Sequence, residues 1–103
     1  MAQRKIKDQT LLKALKTVID PELNINIVDL GLIYQAKRKG EKSAYIQMTL
    51  TTPGCPLAPV IDHLVHQALQ EIHVTQVKLE ITFDPPWTPQ MMTKSAQAEL
   101  NLL

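Results

Sequence analysis

This sequence of 103 residues is long enough for one domain with a modest core and too short for two independent domains. It is 45% hydrophobic and 20% charged, which is typical of an ordinary globular protein. Eleven basic and ten acidic residues give a net charge of +1, and aromatic residues make up only 4%, so neither charge nor base-stacking rings argue for a nucleic-acid partner. We expect residues 1–103 to form a single domain.

The cysteine content and the hydropathy of the chain indicate the cellular compartment in which the protein resides. The single cysteine, Cys55, cannot form an internal disulfide, which favours a reducing environment. Residues 1–7 carry charge without an apolar segment behind them, and no apolar stretch approaches the length that spans a bilayer. The sequence therefore predicts a cytoplasmic protein with no membrane partner.

The first half of the chain predicts a helix followed by a hairpin. Asp8 is a candidate N-cap, and Pro21 disfavours helical backbone at Asp20, which predicts a helix over residues 8–19. Its apolar positions recur at helical spacing at Leu11, Leu12, Leu15, Val18 and Ile19. The run 27–34 leads into a first strand, residues 39–42 supply a turn, and residues 44–51 alternate apolar and polar side chains as a second strand does.

The second half predicts a helix, a strand and a last helix. Apolar residues repeat every three or four positions over residues 57–72, and alternation returns over residues 76–83. Thr88 is a candidate cap for a last helix with Pro89 at its first position. The sequence therefore predicts an α+β fold in two layers, in the order α-β-β-α-β-α, with a small three-stranded mixed sheet covered by helices on one face.

Three loops, called here the proline loops, combine polar residues with proline at the ends of predicted elements. They are residues 20–22 (Asp-Pro-Glu), 51–56 (Thr-Thr-Pro-Gly-Cys-Pro) and 84–89 (Asp-Pro-Pro-Trp-Thr-Pro). Functional groups of small domains tend to gather at such positions. Taken singly, each has a structural explanation: Asp20 ends a helix, Thr51 is an exposed strand residue, and Trp87 covers the core.

Cys55 is the candidate reactive group, because it stands between a predicted strand and a predicted helix with prolines on both sides. A thiolate is the nucleophile or metal ligand, and the free N–H groups at the start of a helix favour the ionised form. The structural alternative is a small buried hydrophobe, the commoner fate of a lone cysteine.

Other polar residues have weaker functional readings. Asp29 fits a local turn contact near Gly31 and a site role equally well. The basic tip at residues 37–39 is better explained as a solvated turn than as a docking site. The spacing of the three histidines places them on the polar side of the second helix, where a solvated face is the better interpretation: His63, His66 and His73.

Four ordered segments resemble the SufT/PaaD family of metal-sulfur cluster assembly factors. They are residues 20–23 (Asp-Pro-Glu-Leu), 26–34 (Asn-Ile-Val-Asp-Leu-Gly-Leu-Ile-Tyr), 48–56 (Met-Thr-Leu-Thr-Thr-Pro-Gly-Cys-Pro) and 85–92, which begins Pro-Pro-Trp-Thr-Pro and ends Met-Met. Phe83 stands where the family often has tryptophan, which keeps an aromatic ring. The segments span nearly the whole chain, so the match is specific.

The resemblance implies a role in maturing iron-sulfur proteins, without turnover of its own. It implies that Cys55 is the reactive centre and that Asp20, Glu22, Thr51 and Thr52 line the same pocket. It implies scaffold, carrier or client proteins of iron-sulfur assembly as partners.

Counting ligands limits how metal could be held. A cluster bound by protein thiolates needs about four of them, and structural zinc needs about four ligands. This chain has one cysteine, so one protomer cannot hold a stable cluster through thiolates alone. The metal hypothesis is thus a transient iron-sulfur cluster, or iron, bound at Cys55 and shared with a partner.

Three other functions stay open at this point. The family also contains a small component of a phenylacetyl-CoA-type ring-oxygenase system. Cys55 could serve a thiol enzyme, although no Cys-His spacing here names a substrate. The third is an adaptor with an inert cysteine. For any of them, a small sheet with an exposed edge predicts a homodimer.

Overall fold

The computed structural model describes residues 7–51 and 56–101, so the predicted site residues Thr52 and Cys55 lie outside the described residues. Its helices and strands are α1 (Gln9–Leu15), β1 (Ile33–Arg38), β2 (Ser43–Met48), α2 (Ala58–Gln70), β3 (Gln76–Ile81) and α3 (Lys94–Glu99), with a 3-10 turn at Pro89–Met91. The predicted order α-β-β-α-β-α is confirmed.

The sheet is mixed, in the order β1-β2-β3. β1 and β2 form the antiparallel hairpin that the turn at 39–42 predicts, and Lys39 N donates to Ser43 O at 2.9 Å. β2 and β3 pair in parallel, with Ala44 opposite Val77 and Met48 opposite Ile81. A parallel pair needs a crossover, which α2 supplies.

One face of the sheet is apolar and packs beneath helices α1 and α2, as the alternation predicts. On β2, Ala44, Ile46 and Met48 are buried, whereas Tyr45 and Gln47 on the opposite face are half-buried. α1 contacts β1 and α2, and α2 contacts β3, so both helices cover this one face. The opposite side, called here the open face, carries polar side chains from all three strands: Gln35, Lys37, Tyr45, Gln47, Lys78 and Glu80.

Helix α1 begins as predicted and ends earlier. Asp8 caps it, since its Oδ1 accepts from Thr10 N at 2.9 Å and Leu11 N at 3.2 Å. The predicted end at residue 19 is wrong, because the α-helix stops at Leu15. After the C-cap Lys16, residues 17–19 (Thr-Val-Ile) are all β-branched, which disfavours helix, and Ile19 instead forms an extended bridge with Asn26. Ile19 is 42% exposed, so it does not belong to the apolar stripe.

The second predicted strand is also shorter than expected. It ends at Met48, and Thr49, which alternation places on the polar face, is completely buried. Thr49 N donates to Leu32 O at 2.9 Å. At this end of the sheet the C-terminal segment contacts neighbouring Tyr34, whose hydroxyl donates to Pro85 O at 2.7 Å. Thr49 is therefore buried just beyond the end of β2, where the alternation of the strand no longer applies.

The last helix begins later than predicted. Thr88 precedes only the 3-10 turn and makes no side-chain capping bond within the described residues. The α-helix starts at Lys94, capped by Thr93, whose Oγ1 accepts from Ala96 N at 3.2 Å. Met92, between the two, has extended backbone, which separates them. Among the described residues, no helix is long and apolar enough to cross a bilayer.

Candidate functional site

The three proline loops meet at one pocket, called here the junction pocket, of about 360 Å³. The first loop contributes Glu22, the second contributes Thr51, and the third contributes Trp87 and Pro89. The full lining is Glu22, Leu23, Thr51, Trp87, Pro89, Met92 and Leu100. The pocket is therefore mainly apolar, with one carboxylate and one hydroxyl.

The first proline loop is shaped by Asp20. Its Oδ1 accepts from Glu22 N at 2.7 Å and from Leu23 N at 3.1 Å, and the residue is 5% exposed. Asn24, in left-handed backbone at φ 58°, donates from N to Asp20 O at 2.7 Å and closes the loop. The Asp20 carboxylate thus holds the turn that presents Glu22, and Asp20 is not among the residues that line the junction pocket.

A single helical turn at residues 26–31 accounts for the Asn-Ile-Val-Asp-Leu-Gly signature. Asn26 Oδ1 accepts from Asp29 N at 2.9 Å at its start. At its end Gly31 N donates to Val28 O and Leu32 N donates to Ile27 O, the paired bonds of a Schellman motif. Gly31 has φ 78°, the left-handed conformation that this motif requires.

This turn is the platform on which the third proline loop and the segment after it lie. Trp87 Nε1 donates to Leu30 O at 2.7 Å, and Thr93 N donates to Asp29 O at 2.9 Å. A Cβ on Gly31 would lie 2.3 Å from Met91 O, so the backbones approach as closely as glycine allows. The 26–31 turn therefore positions Trp87. This residue is half-buried, packs against the core and forms one wall of the junction pocket.

The second proline loop connects the pocket to helix α2. Thr51 is half-buried, and α2 begins at Ala58, three residues after Cys55 in the sequence. Leu57 occupies the N-cap position without a side-chain capping bond among the described residues, and the first turn of α2 has no acidic side chain. The positive end of the α2 dipole is therefore not neutralised from within its own first turn.

The histidines do not form a metal site within the described ranges 7–51 and 56–101. His63 is exposed on α2, and His66 Nε2 lies 3.2 Å from Asp62 Oδ1 one turn away. The prediction that His63 and His66 occupy the polar face of α2 is confirmed. His73 is different, because α2 ends at Gln70 and His73 lies in the following turn at φ 65°. No group of three or more His, Cys, Asp or Glu residues in those ranges is arranged to hold a metal ion.

Asp29 and the basic tip lie away from the junction pocket. Asp29 is half-buried and lines a separate cleft with Lys13 of α1 and with Lys16, the C-cap of that helix. Its backbone makes the local turn contact that the sequence suggests. At the tip of the hairpin, Arg38 Nη1 donates to Glu41 O at 3.3 Å and both residues are exposed. This contact agrees with a solvated turn.

A larger cavity of about 730 Å³ lies beside the strands rather than at the proline loops. Its polar lining includes Lys37, Tyr45, His66 and Lys78. It contains no residue of the proline loops, and its walls present no carboxylate or thiol. We therefore place the candidate site at the junction pocket despite its smaller volume.

Sequence reasoning missed the apolar walls of the pocket. Leu23, Met92 and Leu100 all line it, and none of them is among the predicted pocket residues. Each of them is simply apolar, and no local signal distinguishes an apolar pocket wall from a core position.

The fold and the pocket define a small α+β domain with known structural counterparts. The crystal structure of a domain of unknown function, DUF59, from Bacillus anthracis matches with a TM-score of 0.85 and 34% sequence identity, covering 92% of each chain. At this identity and coverage the likeness extends over almost the whole molecule.

The chain belongs to the iron-sulfur cluster assembly protein family, whose model matches residues 8–79. It is 39% identical to the Fe-S protein maturation auxiliary factor YitW of Bacillus subtilis, over 91% of this chain and 93% of that protein. It is 42% identical to the Fe-S protein maturation auxiliary factor SufT of Staphylococcus aureus, over 82% of this chain and 98% of that one. An iron-sulfur cluster carrier protein of Deinococcus radiodurans is 42% identical over 71% of this chain, which corresponds to 21% of that longer protein. The resemblance seen in the sequence is thus confirmed.

Proposed function

We propose that this protein is a non-enzymatic auxiliary factor that assists the delivery of iron-sulfur clusters to client proteins. The observation that carries the proposal is the junction pocket, where all three proline loops of the family signature meet. Family membership and the similarity to maturation auxiliary factors support the same role.

The reactive group in this proposal is Cys55. Cys55 is the fourth residue after Thr51, and an extended chain of four residues spans at most about 14 Å. The first residue of α2, Ala58, is the third residue after Cys55, a reach of about 11 Å at most. Chain connectivity thus limits how far Cys55 can lie from Thr51 and from the start of α2, and the positive end of a helix dipole favours the thiolate of a cysteine beside it.

The pocket residues have complementary roles toward a cluster as cargo. Cys55 supplies one thiolate to iron, and the exposed Glu22 carboxylate supplies a hard oxygen ligand or accepts the proton that the thiol loses. The hydroxyl groups of Thr51 and Thr52 donate hydrogen bonds to thiolate or sulfide sulfur. Asp20 acts through Glu22 by holding the turn that carries it. The remaining ligands come from a scaffold, carrier or client protein, so any cluster or iron is held transiently.

This role agrees with a cytoplasmic, reducing location, where a single thiol stays reduced. It requires no turnover by the protein itself. A thiol enzyme would use a histidine or a carboxylate as its base. Within the described ranges both histidines of α2 lie on its solvated face, with His66 paired to Asp62, so the carboxylate of Glu22 is the base that the junction pocket offers. The ring-oxygenase component stays an alternative that the neighbouring genes decide.

The proposal is tested in cells that lack this protein and depend on an iron-sulfur enzyme whose activity falls in its absence. We expect the wild-type chain to restore the enzyme, and Cys55→Ser to restore none of it at equal abundance and equal thermal stability. Glu22→Gln should lower the restored activity, with exposed Glu99→Gln as the matched control. Full restoration by Cys55→Ser would remove the thiol from the mechanism.

A second experiment separates a carrier from a targeting adaptor. The purified protein is reconstituted anaerobically with iron and sulfide, and metal content and visible absorbance are compared between the wild type and Cys55→Ala. Metal retained by the wild type alone identifies a carrier that uses Cys55. Retention by neither protein favours the adaptor.

A further inference from the structure

In the part of the chain that the structure describes, β3 is the open edge of the sheet. The other outer strand, β1, is partly covered, since Asp8 N donates to Ala36 O at 2.8 Å and Lys7 forms a parallel bridge with Ala36. Within residues 7–51 and 56–101, the backbone of β3 pairs with β2 alone. β3 contains no proline and no bulge, two of the devices that prevent an edge strand from pairing, although it carries the charged residues Lys78 and Glu80.

The hydrogen-bonding direction of β3 alternates along the strand. Gln76 N donates to Lys42 O and Thr82 N donates to Met48 O, both toward β2. Even-numbered residues of β3 therefore face β2, and the N–H and C=O groups of Val77, Leu79 and Ile81 face outward. These three residues provide six backbone groups for an additional antiparallel strand.

The added strand can be β3 of a second copy, related to the first by a two-fold axis. In such an antiparallel pair the axis passes through one residue position, so even-numbered residues lie opposite even-numbered residues and odd-numbered opposite odd-numbered. Centring the axis on Lys78 would place Lys78 opposite its own copy, and centring it on Glu80 would place two carboxylates opposite each other. Centring it on Leu79 places Lys78 of each copy opposite Glu80 of the other. Opposite charges directly across a strand pair stabilise it, and like charges destabilise it.

The side chains at this edge suit the Leu79-centred register on both faces. On the open face, Glu80 Oε1 accepts from Tyr45 Oη at 2.8 Å and from Gln47 Nε2 at 3.1 Å, and these bonds lower the pKa of Glu80. The carboxylate is therefore ionised and held in place. On the helical side, Val77, Leu79 and Ile81 are only half-buried. The register would place Leu79 beside Leu79 and Val77 beside Ile81 of the second copy, which covers apolar surface that each protomer leaves open.

We propose that two copies of this protein associate through β3, antiparallel and centred on Leu79, to form one continuous six-stranded sheet. The partner is a second copy because the strand is complementary to itself in charge, in polarity and in hydrogen-bonding direction. The junction pocket does not include β3, so the dimer leaves both pockets open. The inference concerns self-association and stands independently of the proposed iron-sulfur role.

The test is a charge-swap cycle measured by sedimentation equilibrium of the purified protein at low salt. Lys78→Glu and Glu80→Lys each convert two attractive cross-strand pairs into two repulsive ones, and each should weaken dimerisation by about tenfold or more. The double variant Lys78→Glu/Glu80→Lys recreates opposite charges in the same register and should recover most of the affinity. Glu41→Lys, in the exposed hairpin turn, changes the net charge by the same amount and sign as Glu80→Lys and should leave the dimer unchanged.

A backbone variant tests the same edge without charge. Val77→Pro removes an outward N–H and no bond to β2, so the protomer should fold while the dimer is lost; circular dichroism and thermal unfolding verify the fold. A wild-type protein that stays monomeric at millimolar concentration overturns the proposal. So does a dimer that is insensitive to both single swaps, or one that the double variant fails to recover.

Discussion

Gly31 joins two parts of the chain that are distant in sequence. Its left-handed backbone ends the 26–31 turn, and its missing side chain leaves room for Met91. The same turn receives the Trp87 indole and the Thr93 amide. At the scale of single residues, the junction pocket thus depends on a glycine that does not line it.

Substituting Gly31 should therefore lower the stability of the folded protein more than a typical glycine substitution does. Gly31→Ala places a Cβ 2.3 Å from Met91 O at φ 78°, so we expect the free energy of unfolding to fall by about 2 kcal/mol or more. Urea unfolding at neutral pH measures the loss.

Gly40→Ala is the matched control, because its nearest contact would be 3.8 Å away at Ser43. We expect it to change stability by less than about 0.5 kcal/mol. Equal effects at the two positions would contradict the close approach of Gly31 to Met91.

At the scale of elements, helix α1 relies on one capping residue. The α-helix has only seven residues, which is too short to persist without packing and capping. The hydrogen bond from the Thr10 side chain, together with the backbone bonds from Leu11 and Thr10, lowers the pKa of Asp8. The cap is thus strongest when Asp8 is ionised.

Removing the cap should destabilise the protein in a pH-dependent way. Asp8→Ala should cost about 1 kcal/mol at neutral pH, and Asp8→Asn less, because its amide oxygen still caps. The pKa of Asp8 is lower in the folded protein than in the unfolded chain. The wild type should therefore be more stable than Asp8→Asn at pH values above the ordinary carboxyl pKa, and this difference in stability should be lost as the pH falls through the pKa of folded Asp8. Thermal unfolding of both proteins at neutral pH and at about pH 3 measures this. An advantage that does not shrink in acid would contradict the role of the ionised cap.

Hydrophobic alternation and helical spacing predict the strands and helices well wherever side-chain burial follows the period of the element. The alternation on β2 places Ala44, Ile46 and Met48 correctly in the core. It fails at Thr49, which follows the end of β2 and is buried where its N–H donates to Leu32 O, and helical spacing fails at Ile19, which forms a bridge with Asn26 after α1 has ended. Hydrophobic periodicity predicts which face of a helix or strand is buried, but it does not predict the environment of the residues beyond the end of that element.

At the scale of the whole molecule, the sequence predicts that the proline loops are functional, but not how they are arranged. The resemblance groups Glu22 with Thr51, and the structure brings these two residues to one pocket. The apolar walls at Met92 and Leu100 follow from docking of the C-terminal segment on the 26–31 turn, a contact between remote segments that no local pattern encodes. The placement of Cys55 relative to Glu22 stays a prediction.

The central claim is that Cys55 is an accessible, partly ionised thiol in the folded protein. The most direct measurement is the rate of iodoacetamide alkylation of Cys55 against pH, in the folded protein and in urea. We predict rapid alkylation of the folded protein at neutral pH, with a midpoint below the value of about 8.5 that is typical of a free cysteine and that should return in urea. A thiol that reacts only after unfolding, or that titrates identically in both states, would contradict the account.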